Sequence, residues 1–433
     1  MTTFVIVGGG LAGAKAAETL RSEGFDGSVI LFGAEPHRPY ERPPLSKGYL
    51  LGKEERESAF VHPANWYAEH DVDLRAGVTV MAIDRVARTV TVSPASSAAS
   101  AAEPSPAPVT YDKLLLTTGA APRPLDVPGS ALDGVYYLRT VGESERLRAA
   151  FGSGGRVVIV GAGWIGLETA AAARIAGCPV TIVERDPTPL WAILGPELGE
   201  VFGDLHRAHG VEFRFGETVT QLLPAEQREL PPDSAPASPN AEVRHVGAVV
   251  TSGGATLPAD VVLVAIGAIP NDGLAAAAGL EVSGGVVTDA SLRTSDPDIY
   301  AAGDVARSFN PVLGRQIRVD HWSNALNGVP AAAKAMLGQD VSYDRVPYFF
   351  SDQYDLGMEC SGLPSPGSYD EVVYRGDVAG REFIAFWLFG GRLVAGMNVN
   401  VWDVTDDIQS LIRSGRALDQ ARLADPAIPL SEL

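Results

Sequence analysis

Two stretches of this 433-residue chain repeat one pattern of apolar and small residues. The first opens with the apolar run 4–7, which ends at Gly8, and continues with an alanine-rich segment from Leu11 to Arg21. A second apolar run, 28–32, follows a turn at Gly24. An apolar run, a glycine turn, a helix and another apolar run predict the βαβ unit of a parallel sheet.

The second stretch starts at the apolar run 157–160 and continues through GAGWIG into an alanine-rich helix that we expect to end at Gly177. The apolar run 179–183 follows. Gly8 and Gly161 are roughly 150 residues apart, which is the length of a domain and too long for a solenoid repeat. The chain therefore predicts an α/β fold with two Rossmann-type dinucleotide-binding domains.

The remaining segments are less regular. From about residue 330 the pattern changes to aromatic-rich strand candidates and a final helix candidate over 404–414, which we interpret as a separate α+β domain. The stretches 93–108 and 224–240 are rich in proline, alanine and serine, so we expect loops without a functional role.

Charge and composition narrow the function. The formal net charge is −19 and the isoelectric point is about 4.8, so the chain as a whole repels nucleic acid and anionic lipid surfaces. No apolar run approaches the ~18 residues of a membrane span, and no basic segment with an apolar core begins the chain. We expect a soluble cytoplasmic protein with no nucleic-acid or membrane partner.

The first glycine motif reads G-x-G-x-x-G between a predicted strand and a predicted helix. In this context bare glycines let the backbone approach a pyrophosphate at the helix N-terminus. A plain tight turn is the alternative reading. The carboxylate expected to hold a ribose is Glu35, because Ala34 occupies the position nearest the end of the second strand. The motif residues predicted to bind the cofactor are Gly8, Gly10, Leu11, Ala12 and Gly13.

The second glycine motif is followed at the expected distance by Glu184, at the end of the run PVTIVE. A carboxylate there accepts hydrogen bonds from both ribose hydroxyls and repels a 2′-phosphate, so we predict NADH rather than NADPH. Arg185, the next residue, could weaken that preference, and a solvated surface glutamate is the alternative reading. The motif residues predicted to bind this nucleotide are Gly161, Gly163, Trp164, Ile165 and Gly166.

The chain has two cysteines, Cys178 and Cys360, in neither a C-x-x-C nor a C-x4-C arrangement. Their spacing also suits no disulfide framework and no metal site. We therefore expect no metal and no redox disulfide, which disfavours disulfide reductase and thioredoxin reductase activities. A flavin would then be the only redox centre.

Several longer segments carry a family resemblance. The chain resembles the FAD-dependent ferredoxin reductases that serve haem monooxygenases and aromatic-ring dioxygenases, and it is similar to the oxidoreductase portion of apoptosis-inducing factors. The segments that carry the resemblance span nearly the whole chain and are HRPYERPPLSKGYL, LLLTTGAAPRPL, GAGWIGLE, LVAIGAIPN, IYAAGDVA, VDHWSNA and PYFFSDQYD.

The resemblance implies a glutathione-reductase-like pair of dinucleotide-binding domains with FAD and NADH as cofactors. The implied FAD-binding domain comprises 1–123 and 269–329, the NAD-binding domain comprises 124–268, and the C-terminal α+β domain comprises 330–433. It also implies that Arg42 lies on the FAD pyrophosphate and that Lys47 lies near flavin N5. Glu168 is implied to pair with Lys47 across the domain boundary, and these two residues are the catalytic candidates.

The resemblance assigns further roles on the FAD side. Gly303 and Asp304 would contact the ribityl chain, Trp322 would lie against the flavin, and Phe350 stands where many relatives carry tryptophan. Packing in a hydrophobic core is the alternative for both aromatic residues. The crossovers between the two dinucleotide domains are marked by Thr118, Gly119 and Arg123 on the way out and by Gly267, Pro270 and Asn271 on the return.

The resemblance implies an NADH:ferredoxin oxidoreductase, in which a small 2Fe-2S ferredoxin takes single electrons and feeds a monooxygenase or dioxygenase. Two alternatives stay open: an NADH oxidase or small-molecule reductase, and a redox-sensing protein like the apoptosis-inducing factors. Because the chain and such ferredoxins are both acidic, docking would need local positive charge. Arg307, Arg315 and Arg318 are the candidates, and solvated or internally paired arginines are the alternative.

Overall fold

The computed structural model describes residues 1–93, 108–225 and 244–433. The predicted loops at 93–108 and 224–240 lie almost wholly outside the described residues.

The strands of the described residues, in chain order, are β1 (Thr3–Val7), β2 (Ser28–Gly33), β3 (Val72–Ala76), β4 (Val80–Asp84), β5 (Thr89–Val92), β6 (Val109–Thr110), β7 (Lys113–Leu116), β8 (Ala120–Pro122), β9 (Val135–Tyr136), β10 (Val157–Val160), β11 (Val180–Glu184), β12 (Val211–Phe215), β13 (Val219–Pro224), β14 (Val246–Thr251), β15 (Thr256–Pro258), β16 (Val261–Val264), β17 (Ala268–Pro270), β18 (Val286–Thr288), β19 (Ile299–Ala301), β20 (Ala306–Asn310), β21 (Arg315–Arg318), β22 (Tyr348–Gln353), β23 (Leu356–Gly362), β24 (Glu371–Asp377), β25 (Glu382–Phe389) and β26 (Arg392–Val399).

The α-helices are α1 (Leu11–Ser22), α2 (Trp66–Glu69), α3 (Val141–Phe151), α4 (Trp164–Ile175), α5 (Trp191–Leu194), α6 (Pro196–Ala208), α7 (Gly273–Ala277), α8 (Trp322–Met336), α9 (Thr405–Ser414) and α10 (Gln420–Ala424). Short 3₁₀ turns lie at Pro43–Ser46, Arg56–Ala59, Gly303–Val305 and Leu430–Glu432.

The chain forms two compact units. The first unit comprises Met1–Pro43, Arg56–Ala121 and Ala268–Phe349, and the second unit comprises Pro44–Glu55, Pro122–Gly267 and Phe350–Leu433. The second unit thus gathers nearly all of the predicted NAD-binding domain, residues 350–433 of the predicted C-terminal domain and the segment that contains Lys47. Residues 330–349, which the sequence assigned to the C-terminal domain, belong to the first unit because they include the second half of α8. The three-domain division stays a prediction.

A five-stranded sheet with the order β19-β7-β1-β2-β3 is the centre of the first unit, and its strands pair in parallel. Such a sheet is buried on both faces, which explains the unbroken apolar run of β1. Phe4 and Ile6 pack on one face with α1 and α8, while Val5 and Val7 pack on the other.

The second unit repeats this plan with the order β12-β11-β10-β16-β9, again with parallel pairs. All four residues of β10 are buried. The unit also contains the sheet β22-β23-β26-β25-β24, whose β23, β26, β25 and β24 pair antiparallel. Helix α9 packs on β23 and β26.

These sheets confirm the predicted fold class. The predicted strands and helices around both glycine motifs are present, and the helix expected over 404–414 is α9.

Candidate dinucleotide and redox site

The first glycine motif forms the turn between β1 and α1. Gly8 has φ = 131°, and a Cβ on Gly8 would clash with the carbonyl oxygen of Thr117. A Cβ on Gly13 would clash with the carbonyl oxygen of Gly8. Gly10, the residue before α1, differs because nothing lies within 4 Å of the position its Cβ would take. Two glycines are therefore required by the protein itself, and the third faces open space at the helix N-terminus.

The second glycine motif repeats this arrangement residue for residue. Gly161 has φ = 103°, and a Cβ there would meet the carbonyl oxygen of Ala265. A Cβ on Gly166 would clash with the carbonyl oxygen of Gly161, whereas Gly163 has open space around its Cβ position. No side chain caps the start of α1 or α4. Open space in front of uncapped helix N-termini fits two pyrophosphates.

Three of the four non-glycine residues predicted in the two motifs pack within the protein, and the fourth, Ile165, is exposed. Leu11 and Ala12 are buried at the start of α1. The Trp164 ring packs edge-on against Phe202 of α6, with ring centroids 5.5 Å apart, and Ile165 is 41% exposed.

Glu35 lies just beyond β2 and holds its own hydrogen-bond partners. Its Oε1 accepts a hydrogen bond from Arg42 Nη2 at 2.8 Å, and its Oε2 accepts one from the Tyr40 hydroxyl. The Arg42 guanidinium also stacks on the Tyr40 ring, 4.6 Å from its centroid. Glu35 and Arg42, which were assigned to different parts of the cofactor, therefore form one ion pair beside the first motif.

Glu184 ends β11 and turns back to the second glycine motif. Its Oε2 accepts a hydrogen bond from the Ala162 amide at 2.6 Å, and its Oε1 accepts one from the Asp186 amide at 3.0 Å. The carboxylate is thereby fixed against the glycine turn. The Arg185 side chain is 74% exposed, 3.7 Å from Asp186.

Gly303 and Asp304 form a 3₁₀ turn after β19. Gly303 has φ = 76°, and its Cβ position lies 3.3 Å from the Ala12 side chain, so this turn lies directly against the start of α1. Trp322 begins α8, packs against the core of the first unit and donates a hydrogen bond from Nε1 to Glu41 Oε2 at 3.0 Å. Gly303 thus lies against the start of α1, and Trp322 packs against the core to which Leu11 and Ala12 belong.

The crossover residues form three hydrogen-bonded pairs. Thr118 Oγ1 donates to the Asn271 carbonyl oxygen, and Asn271 Nδ2 donates to the Thr118 carbonyl oxygen, both at 2.8 Å. The Asn271 amide bonds the Gly119 carbonyl, and the Arg123 amide bonds the Gly267 carbonyl, both at 2.9 Å.

Lys47 and Glu168 form an ion pair within the second unit, with Nζ 2.7 Å from Oε1. The sequence had placed this contact across a domain boundary. Glu168 lies in the first half of α4 and is 5% exposed. Its carboxylate also accepts hydrogen bonds from Ser46 Oγ at 2.5 Å and from Ser351 Oγ at 2.7 Å. A buried carboxylate with three donors is fixed in position.

Two residues of β22 flank this pair. The Lys47 ammonium lies 5.5 Å from the centroid of the Phe350 ring, close enough for a cation–π interaction. Burial raises the pKa of Asp352, the neighbouring carboxylates of Glu168 and Glu359 raise it further, and Lys47 opposes them.

Sequence reasoning missed four polar residues around Glu168, namely Ser46, Ser351, Gln353 and His206. The available signals were that Ser46 falls in the segment HRPYERPPLSKGYL and that Ser351 and Gln353 fall in PYFFSDQYD, since both segments carry the family resemblance.

The candidate docking arginines lie on the hairpin β20–β21. Arg307 and Arg318 are directly opposite each other in the register. Arg307 Nη1 donates to the Ser283 carbonyl at 2.6 Å, and Arg318 Nη1 donates to Asp320 at 2.5 Å. Arg315 is exposed at the start of β21.

Both cysteines are buried and free. Burial raises the pKa of Cys360, and it also raises that of Cys178 against the opposing charge of Arg174. Within 1–93, 108–225 and 244–433, no group of three His, Cys, Asp or Glu side chains is placed to hold a metal ion. In the same ranges no helix has the length and apolar content needed to cross a membrane.

Comparisons with known proteins match nearly the whole chain. Residues 2–328 match the family model described as pyridine nucleotide-disulphide oxidoreductase, and residues 348–433 match the one described as reductase C-terminal. The ferredoxin–NAD(+) reductase component of the anthranilate 1,2-dioxygenase system of Burkholderia cepacia is 38% identical over 99% of this chain and 98% of its own. Rhodocoxin reductase of Rhodococcus erythropolis is 38% identical over 92% of this chain and 86% of its own.

Among solved structures, putidaredoxin reductase in its covalent complex with putidaredoxin matches with a TM-score of 0.90. The identity is 34%, and the match covers 100% of this chain and 97% of the other.

Proposed function

Because this chain belongs to the pyridine nucleotide-disulphide oxidoreductase family, we propose that it is an FAD-dependent NADH:ferredoxin reductase. It takes hydride from NADH and delivers single electrons to a 2Fe-2S ferredoxin that feeds an oxygenase. The observation that carries this function is the full-length similarity to reductases named for ferredoxin-type partners, including a solved reductase–putidaredoxin complex.

The family name refers to disulfides, but this chain cannot use one. Its two cysteines belong to different sheets: Cys178 lies just before β11 of the parallel sheet, and Cys360 lies within β23 of the antiparallel sheet. Both are buried and free. A redox disulfide needs two sulfurs about 2 Å apart on exposed or cofactor-facing positions. The electrons that enter as hydride must therefore leave directly from the flavin.

FAD supplies the chemistry when bound, because its isoalloxazine accepts a hydride and releases the two electrons one at a time. The first glycine motif would hold its pyrophosphate at the N-terminus of α1. Glu35 would hold the ribose, and Asp304 the ribityl chain. The ion pair between Arg42 and Glu35 holds these two side chains together, which supports a role for both at one cofactor.

NADH would bind at the second glycine motif, with its pyrophosphate at the N-terminus of α4. Glu184 would accept hydrogen bonds from the adenosine ribose and disfavour a 2′-phosphate by charge repulsion. The two amide hydrogen bonds that fix Glu184 against the glycine turn support this role, because they leave its carboxylate no freedom to swing away. Arg185 is exposed and directed to Asp186, so it offsets this selectivity little.

Lys47 would place its ammonium near flavin N5, where reduction deposits negative charge. Glu168 would hold that ammonium in place through the 2.7 Å ion pair. Phe350 would shield the site from water. Arg315, which is exposed at the start of β21, would supply local positive charge for an acidic ferredoxin. We further propose the three-domain division given above and a cytoplasmic location.

The direct test is NADH-dependent reduction of ferredoxins from the same source by the purified, FAD-replete protein. A variant in which Cys178 and Cys360 are both replaced by serine separates this function from disulfide chemistry. We expect its turnover to stay within about two-fold of wild type. Loss of turnover in a folded, FAD-replete double variant would contradict a flavin-only route.

A further inference from the structure

A buried chain of hydrogen bonds runs from Glu168 to the middle of the second unit. Ser351 Oγ donates to Glu168 Oε1 at 2.7 Å, and Gln353 Nε2 donates to Ser351 Oγ at 3.1 Å. Gln353 Oε1 then faces His206 Nε2 at 2.8 Å. Ser351, Gln353 and His206 are at most 1% exposed, so water cannot replace any of these bonds.

The donor and acceptor of every hydrogen bond in this series follow from the negative charge of Glu168 at one end. An ionised carboxylate can only accept, so Ser351 must donate to Glu168 and therefore accepts from the Gln353 amide nitrogen. The Gln353 oxygen then faces His206, whose Nε2 must carry the proton. Every donor thus points toward Glu168, and such aligned chains polarise one another in the same sense.

His206 fits the end of this chain as a neutral imidazole. Its Nδ1, which is the acceptor nitrogen of the neutral Nε2–H tautomer, makes no hydrogen bond among the described residues. Burial lowers the pKa of His206 to about 4, so it stays neutral at physiological pH. Its ring is held edge-on by Phe213 and Tyr354, at centroid distances of 6.4 and 5.2 Å.

This chain of hydrogen bonds also connects three elements of the second unit. His206 lies on α6, Ser351 and Gln353 lie two apart on the same face of β22, and Glu168 lies on α4, the helix whose N-terminus carries the second glycine motif. A buried polar network of this extent costs free energy to desolvate and is retained where it fixes one arrangement. The arrangement that it fixes here is the position of Glu168 Oε1, which bonds Lys47.

We propose that Ser351, Gln353 and His206 are positioning residues for the flavin-reduction step, because together they hold the Glu168 carboxylate on the Lys47 ammonium. The proposal rests on the proposed function only in that Lys47 lies at the flavin and NADH is the hydride donor. The titratable groups that act on the two ends of this hydrogen-bond chain are Lys47 and Asp352 near Glu168, and His209 near His206.

The test uses Gln353→Met in the FAD-loaded protein, which keeps the side-chain length and removes both hydrogen bonds. Gln409→Met is the matched control, because Gln409 Nε2 also donates to a serine, Ser361, in the same unit but away from Glu168. Anaerobic stopped-flow mixing with NADH gives the limiting rate of flavin bleaching and the apparent Kd for NADH. We expect Gln353→Met to lower the limiting rate about ten-fold with the Kd for NADH and the FAD content unchanged, and Gln409→Met to leave both constants unchanged.

A double-mutant cycle separates positioning from simple loss of stability. If Ser351 and Gln353 act through one chain, Ser351→Ala combined with Gln353→Met will be no slower than Ser351→Ala alone. His206→Phe, at the far end, should slow the limiting rate less than either. Limiting rates within two-fold of wild type, or effects that multiply in the double variant, would overturn the proposal even if the melting temperature falls.

The readout also separates this proposal from the proposed function. A wild-type flavin that NADH does not reduce would overturn both. A wild-type flavin that NADH reduces, but that passes no electrons to any ferredoxin, would overturn only the ferredoxin assignment.

Discussion

Lys47 Nζ lies 2.7 Å from Glu168 Oε1, and the Glu168 side chain is only 4% exposed. A buried carboxylate that loses its cation is costly, because its desolvation is no longer compensated. We therefore predict that Lys47→Met slows flavin reduction and also lowers the free energy of unfolding by roughly 3–5 kcal/mol. Chemical denaturation measures the second effect.

The matched control for this prediction is the double variant Lys47→Met with Glu168→Gln. The second substitution removes the negative charge of Glu168, which Lys47→Met leaves buried without a cation. The double variant should therefore recover much of the free energy of unfolding without recovering the rate of flavin reduction. A double variant that is less stable than Lys47→Met would show that the ion pair is not what couples the two residues.

Gly10 and Gly163, the two glycines with open space at their Cβ positions, predict opposite effects on FAD and NADH binding. Gly10→Ala and Gly163→Ala both place a methyl group in open space at a helix N-terminus, so the protein itself can accept either one. Gly10→Ala should weaken FAD binding, since its methyl enters the space in front of α1. Gly163→Ala should leave FAD content intact and raise the apparent Kd for NADH. Flavin absorbance per chain and NADH titration measure the two effects. Equal loss of FAD in both variants would contradict the assignment.

Glu184 predicts the choice of nicotinamide donor. We expect kcat/KM for NADH to exceed that for NADPH, and Glu184→Ala to narrow the ratio by about ten-fold, because the charge repulsion and two ribose hydrogen bonds disappear together. Arg185→Ala is the control and should change the ratio little, since that side chain is exposed. A wild-type preference for NADPH would contradict this role for Glu184.

His206 predicts a pH dependence of stability. Its pKa is lowered by burial to about 4 in the folded protein, against an ordinary value near 6.5. Between these values the unfolded chain binds the extra proton, so the free energy of unfolding falls as the pH drops from 6.5 to 4. The loss attributable to His206 is about 3 kcal/mol. His206→Phe should flatten this part of the stability profile.

The control for that measurement is Gln409→Met, which changes an uncharged side chain in the same unit. This variant should keep the wild-type slope between pH 6.5 and 4. If His206→Phe also keeps the wild-type slope, the buried histidine is not the group that titrates.

The sequence predicted the fold well because the fold depends on local patterns. The runs 4–7 and 157–160 are apolar throughout since both faces of a parallel sheet are buried, and Gly8 and Gly161 are needed where φ is positive and a carbonyl lies close. Each of these signals occupies a few neighbouring residues.

The surroundings of Glu168 could not be predicted in the same way. Ser351 lies 183 residues from Glu168 in the chain, and Gln353 lies 147 residues from His206. No local pattern marks a serine or a glutamine as the partner of a distant carboxylate. The ion pair of Arg42 with Glu35 was likewise not predicted, because no local pattern marks the two residues as partners across seven positions of the chain. The role of Arg42 at the FAD pyrophosphate stays a prediction.

The rate of electron transfer from the NADH-reduced protein to a 2Fe-2S ferredoxin is the measurement that tests the ferredoxin reductase function most directly. Anaerobic stopped-flow mixing should show ferredoxin reduction that is fast at low ionic strength and slower at high ionic strength, because local charge assists docking. Arg315→Glu, at the exposed start of β21, should slow this step and leave hydride transfer from NADH unchanged. If no ferredoxin accepts electrons while oxygen or a quinone reoxidises the flavin rapidly, the ferredoxin reductase assignment is wrong.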